Sequence, residues 1–134
     1  MLNIFLFDPD PMLREAIGRI FEGKWFEGER CRVVAAGDFL EAVDAVTSET
    51  FDLIVCDDWV EEMDGLSFFR IIRDRQRKAV KVLMTGSPIR ATSAEFRMAG
   101  VDYVMHKSPV PEFMKCLWNT HTGASQAQWT GISH

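Results

Sequence analysis

FDLIVCDDWVEEMDG, residues 51–65, holds the signals of a strand, a turn and a helix start in one run. Its apolar run over 51–56 closes on two acids, Asp57 and Asp58. A short apolar run that does not alternate with polar residues reads as a strand buried on both faces, as in a parallel sheet. Met63-Asp64-Gly65 then reads as a turn, and 66–74 as a helix burying Leu66, Phe69 and Ile72.

The same pattern repeats on either side. LNIFLF, residues 2–7, is a first strand stopped by Asp8-Pro9-Asp10-Pro11. From Met12 onward Leu13, Ala16, Ile17, Ile20 and Phe21 recur at helical spacing. Asp10 suits the cap of that helix and Pro11 its first position. Residues 23–31 (GKWFEGERC) read as a charged loop and 32–36 as a second strand. A helix follows, capped by Asp38, with Phe39, Leu40, Val43 and Val46 facing inward. Residues 80–84 form a fourth strand closed by Thr85-Gly86, 91–99 a helix ended by Gly100, and 101–105 a fifth strand. His106-Lys107-Ser108-Pro109 and a last helix over 111–118 complete the series. Alternating strands and helices with right-handed crossovers predict an α/β fold, a doubly wound five-stranded parallel sheet with helices on both faces. Residues 1–121 are read as one domain, and 122–134, polar and small, as a flexible C-terminal tail.

Composition agrees. Of 134 residues, 47% are hydrophobic and 26% charged, enough for a packed core and too apolar for disorder. The net charge of −5 argues against general nucleic-acid or anionic-membrane binding. No apolar run approaches the roughly 18 residues of a membrane span. Cys31, Cys56 and Cys116 are odd in number and widely spaced, which fits reduced thiols rather than zinc or disulfides. Arg70, Arg73, Arg75, Arg77 and Lys78 read as a solvated helix end.

Ligands of doubly wound sheets bind at the carboxyl ends of the strands. The residues expected there are Asp8, Asp10, Asp57, Asp58, Thr85 and Lys107. Crowded carboxylates favour a hard divalent cation such as Mg²⁺. With their charge offset, a carboxylate can attack phosphorus while a hydroxyl and an ammonium hold the phosphoryl oxygens.

The segments IFLFDPDP, FDLIVCDDWVEEMDG, VLMTG and AGVDYVMHKSP together resemble the receiver domain of two-component response regulators, a flavodoxin-like fold, over nearly the whole chain. The resemblance implies a cytoplasmic signalling domain rather than an enzyme. Asp57 would accept a phosphoryl group from a sensor histidine kinase, a phosphotransfer protein or a small acyl phosphate. Thr85 and Lys107 would sense that group. Asp8, Asp57 and the backbone carbonyl of Trp59 would hold Mg²⁺. A downstream protein partner would meet the face made by the fourth helix, fifth strand and fifth helix, with no direct nucleic-acid or membrane contact.

Several positions depart from the family pattern. Pro9 replaces an acidic metal ligand; Asp10 is a substitute candidate, though Pro11 after it favours a capping role. Ser108 precedes Pro109 where the family has Lys-Pro, and Glu61 replaces a proline. The switch position is Val104 rather than an aromatic, with Tyr103 beside it on the opposite face of the strand. These departures keep a second reading open, a degenerate receiver that docks partners without phosphorylation. A third, a haloacid dehalogenase-like phosphatase, rests on Asp8-Pro9-Asp10, with Thr85 and Lys107 imitating its later motifs, but only Glu112 lies beyond Lys107 where that family needs a further acidic pair.

Overall fold

A computed structural model of the chain describes residues 1–23, 25–26, 29–60, 63–86 and 91–106. In chain order these form β1 (Leu2–Phe7), α1 (Pro11–Phe21), β2 (Trp25–Phe26), β3 (Glu29–Ala36), α2 (Phe39–Ser48), β4 (Leu53–Asp57), β5 (Trp59–Val60), β6 (Met63–Asp64), α3 (Gly65–Ile72), β7 (Val80–Thr85), α4 (Ser93–Ala99) and β8 (Tyr103–His106). The main sheet has the order β2-β3-β1-β4-β7-β8. All its pairs are parallel except β2 against β3. The expected five-stranded parallel sheet is therefore present, with one short antiparallel strand added at its edge. The last helix expected over 111–118, the Ser108-Pro109 step and the tail at 122–134 lie outside the described residues.

Unalternating strands are explained by burial on two faces. Phe5, Phe7, Ile54, Cys56, Leu83 and Val104 point to one face, where α2, α3 and α4 bring Ala42, Val46, Phe68, Phe69, Phe96 and Ala99. Leu2, Ile4, Leu6, Leu53, Val55, Val82 and Met84 point to the other, packed on Ile17 and Phe21 of α1. Successive side chains of a strand face opposite ways, so both parities must be apolar. Among the described residues, no helix is long and apolar enough to cross a membrane.

Helix starts follow their caps. The side chains of Asp10, Asp38, Asp64 and Thr92 accept from Met12 N, Glu41 N, Ser67 N and Glu95 N respectively. Each satisfies a backbone N–H that the first helical turn leaves without an intrahelical acceptor. Gly100 ends α4 at φ 79°, a left-handed conformation that suits glycine. The turn before β7 is tied down by Gln76, which is 2% exposed. Its side chain donates to Val46 O (2.9 Å) and Glu49 O (2.8 Å) and accepts from Phe51 N (3.1 Å).

The structure corrects four local expectations. The loop expected over 23–31 contains β2 and the first residues of β3, because Trp25 and Phe26 pair with Arg30 and Glu29. Leu40 does not face inward; it is 81% exposed, while Ala42 and Val46 carry the buried side of α2. The Met63-Asp64 turn is the second arm of a hairpin, paired to Trp59 and Val60. The stripe of α3 also includes Phe68, whose ring meets Phe7 edge-on at 4.8 Å.

Candidate functional site

β1 is the strand at which the winding reverses, since β3 lies on one side of it and β4 on the other. The crevice at such a switch point opens beyond the carboxyl ends of the two strands that flank it. Phe7 pairs with Cys56, so the next residues, Asp8 and Asp57, stand side by side at that edge. Both are buried, at 0% and 5% exposure. Burial of two carboxylates is costly unless charge or hydrogen bonds compensate. Asp8 Oδ1 accepts from Asp10 N at 2.8 Å, and Asp57 Oδ2 from Trp59 N at 3.4 Å. Arg14 donates to the Asp8 carbonyl at 2.8 Å, and its guanidinium lies against Gly37, where a Cβ would be 2.4 Å from Arg14 Nη1.

The neighbouring thiol registers the acidity of this edge. Cys56 is held well above the usual thiol range, first by burial and then by the charges of Asp57, Asp8, Asp58 and Asp64. A cation arriving here would relieve repulsion that the fold itself sets up. Among the described residues, no group of three or more His, Cys, Asp or Glu gathers closely enough to hold a metal ion. Mg²⁺ does not require such a cage, because it keeps several waters and takes one or two carboxylates. Asp8 and Asp57, buried side by side, are two carboxylates of that kind. Pro9 offers no side-chain donor and is exposed. The Asp10 carboxylate is engaged at the α1 cap, 2.9 Å from Met12 N.

Asp57 pairs with Met84 of β7, which puts Thr85 one step further along the adjoining strand. Thr85 is 4% exposed and donates its hydroxyl to Asp58 Oδ2 at 2.5 Å. Asp58 is itself clamped, its N–H to Met84 O and its carbonyl to Gly65 N, both at 2.8 Å. Gly65 starts α3 against the end of β4; a Cβ there would stand 2.5 Å from Asp57 O. That close approach is the structural need for glycine after Met63-Asp64. Thr85 pairs in turn with His106 of β8. Lys107, which comes next, lies outside the described residues, as does Glu61. Val104 is buried with the face of α2, α3 and α4, while Tyr103 packs against the opposite cluster. Trp59 is 57% exposed beside the site.

Sequence reasoning placed Asp57, Asp58 and Thr85 at one edge but missed the hydroxyl–carboxylate bond between the last two. Only the β4–β7 register reveals it. Arg70, Arg73, Arg77 and Lys78 of the basic run line an open depression of about 760 Å³, which also includes Val80 and Tyr103. These two residues begin β7 and β8, so the depression lies at the opposite end of the sheet from the aspartates.

Comparison with known proteins gives the family. Residues 4–115 match the model of the response regulator receiver domain. The transcriptional activator protein PfeR of Pseudomonas aeruginosa is 27% identical over 102 residues, covering 76% of this chain and 32% of PfeR. The chain thus spans about a third of that relative's length. Solved structures share the fold, among them two response regulators. A Burkholderia pseudomallei response regulator, solved with a phosphorylated aspartic acid, calcium ion and citrate, aligns at TM-score 0.76 and 21% identity, over 96% of this chain and 73% of that one. The response regulator TrrA of Thermotoga maritima, in complex with Mg²⁺-BeF, aligns at TM-score 0.71 and 21% identity, over 90% of this chain and 99% of that one. With its fold, its acidic switch-point edge and a family match over most of its length, the chain belongs to the response regulator receiver domain family.

Proposed function

We propose that this receiver accepts a phosphoryl group on Asp57 and passes the signal on by a change of conformation. The observation that carries the reading is the placement of buried Asp57 beside buried Asp8, each one residue past the Phe7–Cys56 pair at the switch-point edge, with Thr85 on the next strand. In the step proposed, an Asp57 carboxylate oxygen attacks the phosphorus of a phosphohistidine or an acyl phosphate. The new O–P bond forms as the bond to the donor's nitrogen or oxygen breaks, and the donor keeps that electron pair. Asp8, Asp57 and the Trp59 carbonyl would hold a divalent cation, Mg²⁺, which when bound neutralises charge on the phosphoryl oxygens. Thr85 would donate its hydroxyl to one phosphoryl oxygen, and Lys107, by family resemblance, would pair with another.

Thr85 and β8 are adjacent, so a Thr85 shift bears directly on Tyr103–His106 and on α4, whose Phe96 and Ala99 share a core cluster with Val104. That face is the proposed contact for a downstream protein, and a sensor histidine kinase or phosphotransfer protein the proposed donor, in the cytoplasm. Population shift between two existing states suffices for such signalling. The test is Mg²⁺-dependent labelling by acetyl phosphate. Labelling lost in Asp57→Asn is the expected result; labelling that survives this change would overturn the reading.

A second reading, docking without phosphorylation, is favoured by one observation: Pro9, beside Asp8, is exposed and has no side-chain oxygen to offer a metal. It predicts that Asp57→Ala retains full partner binding. The phosphatase alternative needs Asp10 as a second acid, and Asp10 Oδ1 accepts from Met12 N at the start of α1.

A further inference from the structure

We infer that Asp58 is a latch on Thr85. Its carboxylate holds the hydroxyl in the resting protein and has to release it before Thr85 can reach a phosphoryl group on Asp57. This rests on the function proposed above.

A threonine hydroxyl has one proton to donate, and an ionised carboxylate or phosphoryl group only accepts. In the structure that proton is committed to Asp58 Oδ2 at 2.5 Å. The bond is charge-assisted and short, and such bonds are roughly twice as strong as neutral ones. Thr85 is 4% exposed, so water is poorly placed to take over the role of Asp58. Geometry adds a second term. The Asp58 backbone is fixed from both sides, by Met84 O and by Gly65 N. The carboxylate cannot drift away with a loop; it is held on Thr85 by the β4–β7 register and the start of α3. A phosphoryl group on Asp57 would thus compete with a neighbouring acid for one proton, and would bring its own negative charge next to that acid. Asp58 raises the threshold for sensing without taking part in the transfer; it is a positioning residue.

The experiment is a double-mutant cycle. Beryllofluoride binding at saturating Mg²⁺ is measured by calorimetry in wild type, Asp58→Ala, Asp58→Asn, Thr85→Val and Asp58→Ala/Thr85→Val. Losing a charge-assisted hydrogen bond that competes with the ligand predicts binding about tenfold tighter in Asp58→Ala. Asp58→Asn gains less, because an amide oxygen still accepts. The gain disappears in the Thr85→Val background. An equal gain in that background would mean that Asp58 acts through charge alone, and no gain would mean that the bond restrains nothing. Either result overturns the latch. Failure of wild type and every variant to bind beryllofluoride would instead overturn the phosphoacceptor reading. A second readout needs no metal or phosphoryl analogue. The bond predicts a slowly exchanging Thr85 hydroxyl proton in NMR spectra of the metal-free protein, present in Asp57→Asn and lost in Asp58→Ala. Its absence from wild type would overturn the latch independently.

Discussion

Gly65→Ala probes the joint between the fold and the site. The added Cβ would lie 2.4 Å from Leu83 Cδ1, 2.5 Å from Asp57 O and 3.3 Å from Asp58 Cα. The leucine methyl can rotate away. The Asp57 carbonyl cannot, because its strand is hydrogen-bonded on both sides, to β1 and to β7. Overpacking of this kind costs about 1–3 kcal/mol, and a clash with fixed backbone belongs at the upper end. With urea m-values of about 1–3 kcal/mol per molar, a loss of about 2–3 kcal/mol lowers the unfolding midpoint by roughly 0.7–3 M. The displaced backbone is that of Asp57 itself, so acetyl-phosphate labelling of the folded variant should fall as well. Gly18→Ala is the control. Gly18 lies inside α1 with nothing described within 4 Å of its would-be Cβ, so alanine there should add about 0.5–1 kcal/mol. Unchanged stability and unchanged labelling in Gly65→Ala would refute the claim that this glycine sets the approach of α3 to the site.

Other outcomes follow from the same geometry. Asp10→Ala should cost about 1 kcal/mol of stability through loss of the α1 cap and leave Mg²⁺ affinity unchanged in a fluorescence titration. A large loss of affinity would make Asp10 a ligand. Lys81 is buried at 3% exposure, with Nζ 2.6 Å from Gln76 O. Burial lowers its pKa from the ordinary 10.5, so in the alkaline window just below that value the unfolded chain binds more protons than the folded one. Wild-type stability should therefore rise with pH through that window relative to Lys81→Met, in paired urea titrations; parallel curves would contradict it. Burial pushes the Cys31 thiol up to about 11 and that of Cys56 well above its usual range, so neither should react with a disulfide reagent at pH about 8 until the protein unfolds, as peptide mapping would show.

Much of this architecture is legible in local sequence, because the elements involved carry local signals. The apolar runs of β1 and β4, the Asp10 and Asp38 caps and the acids that close the strands are all read within a few residues. What escapes reading depends on partners distant in the chain. Glu29 and Arg30 are exposed and show no apolar alternation, yet they are strand because β2 folds back on them. Leu40 has a helical, apolar address but lies on the outer side of α2, where Ala42 and Val46 already meet the sheet. Phe68 sits next to Phe69 in sequence and is just as buried, since the apolar face of α3 is wider than a single stripe. The Asp58–Thr85 bond joins residues 27 apart and exists only once Asp57 has paired with Met84.

Whether the acidic edge binds Mg²⁺ and a phosphoryl group at Asp57 can be read from tryptophan fluorescence during a Mg²⁺ titration with and without beryllofluoride. The chain has four tryptophans, so the signal is assigned to Trp59 by repeating the titration in Trp59→Phe. A saturable change is expected with Mg²⁺, a further change with beryllofluoride that requires the metal, and loss of that second change in Asp57→Asn. A wild-type protein that shows no metal-dependent beryllofluoride response, or an Asp57→Asn variant that responds as wild type does, would contradict phosphoryl binding at Asp57.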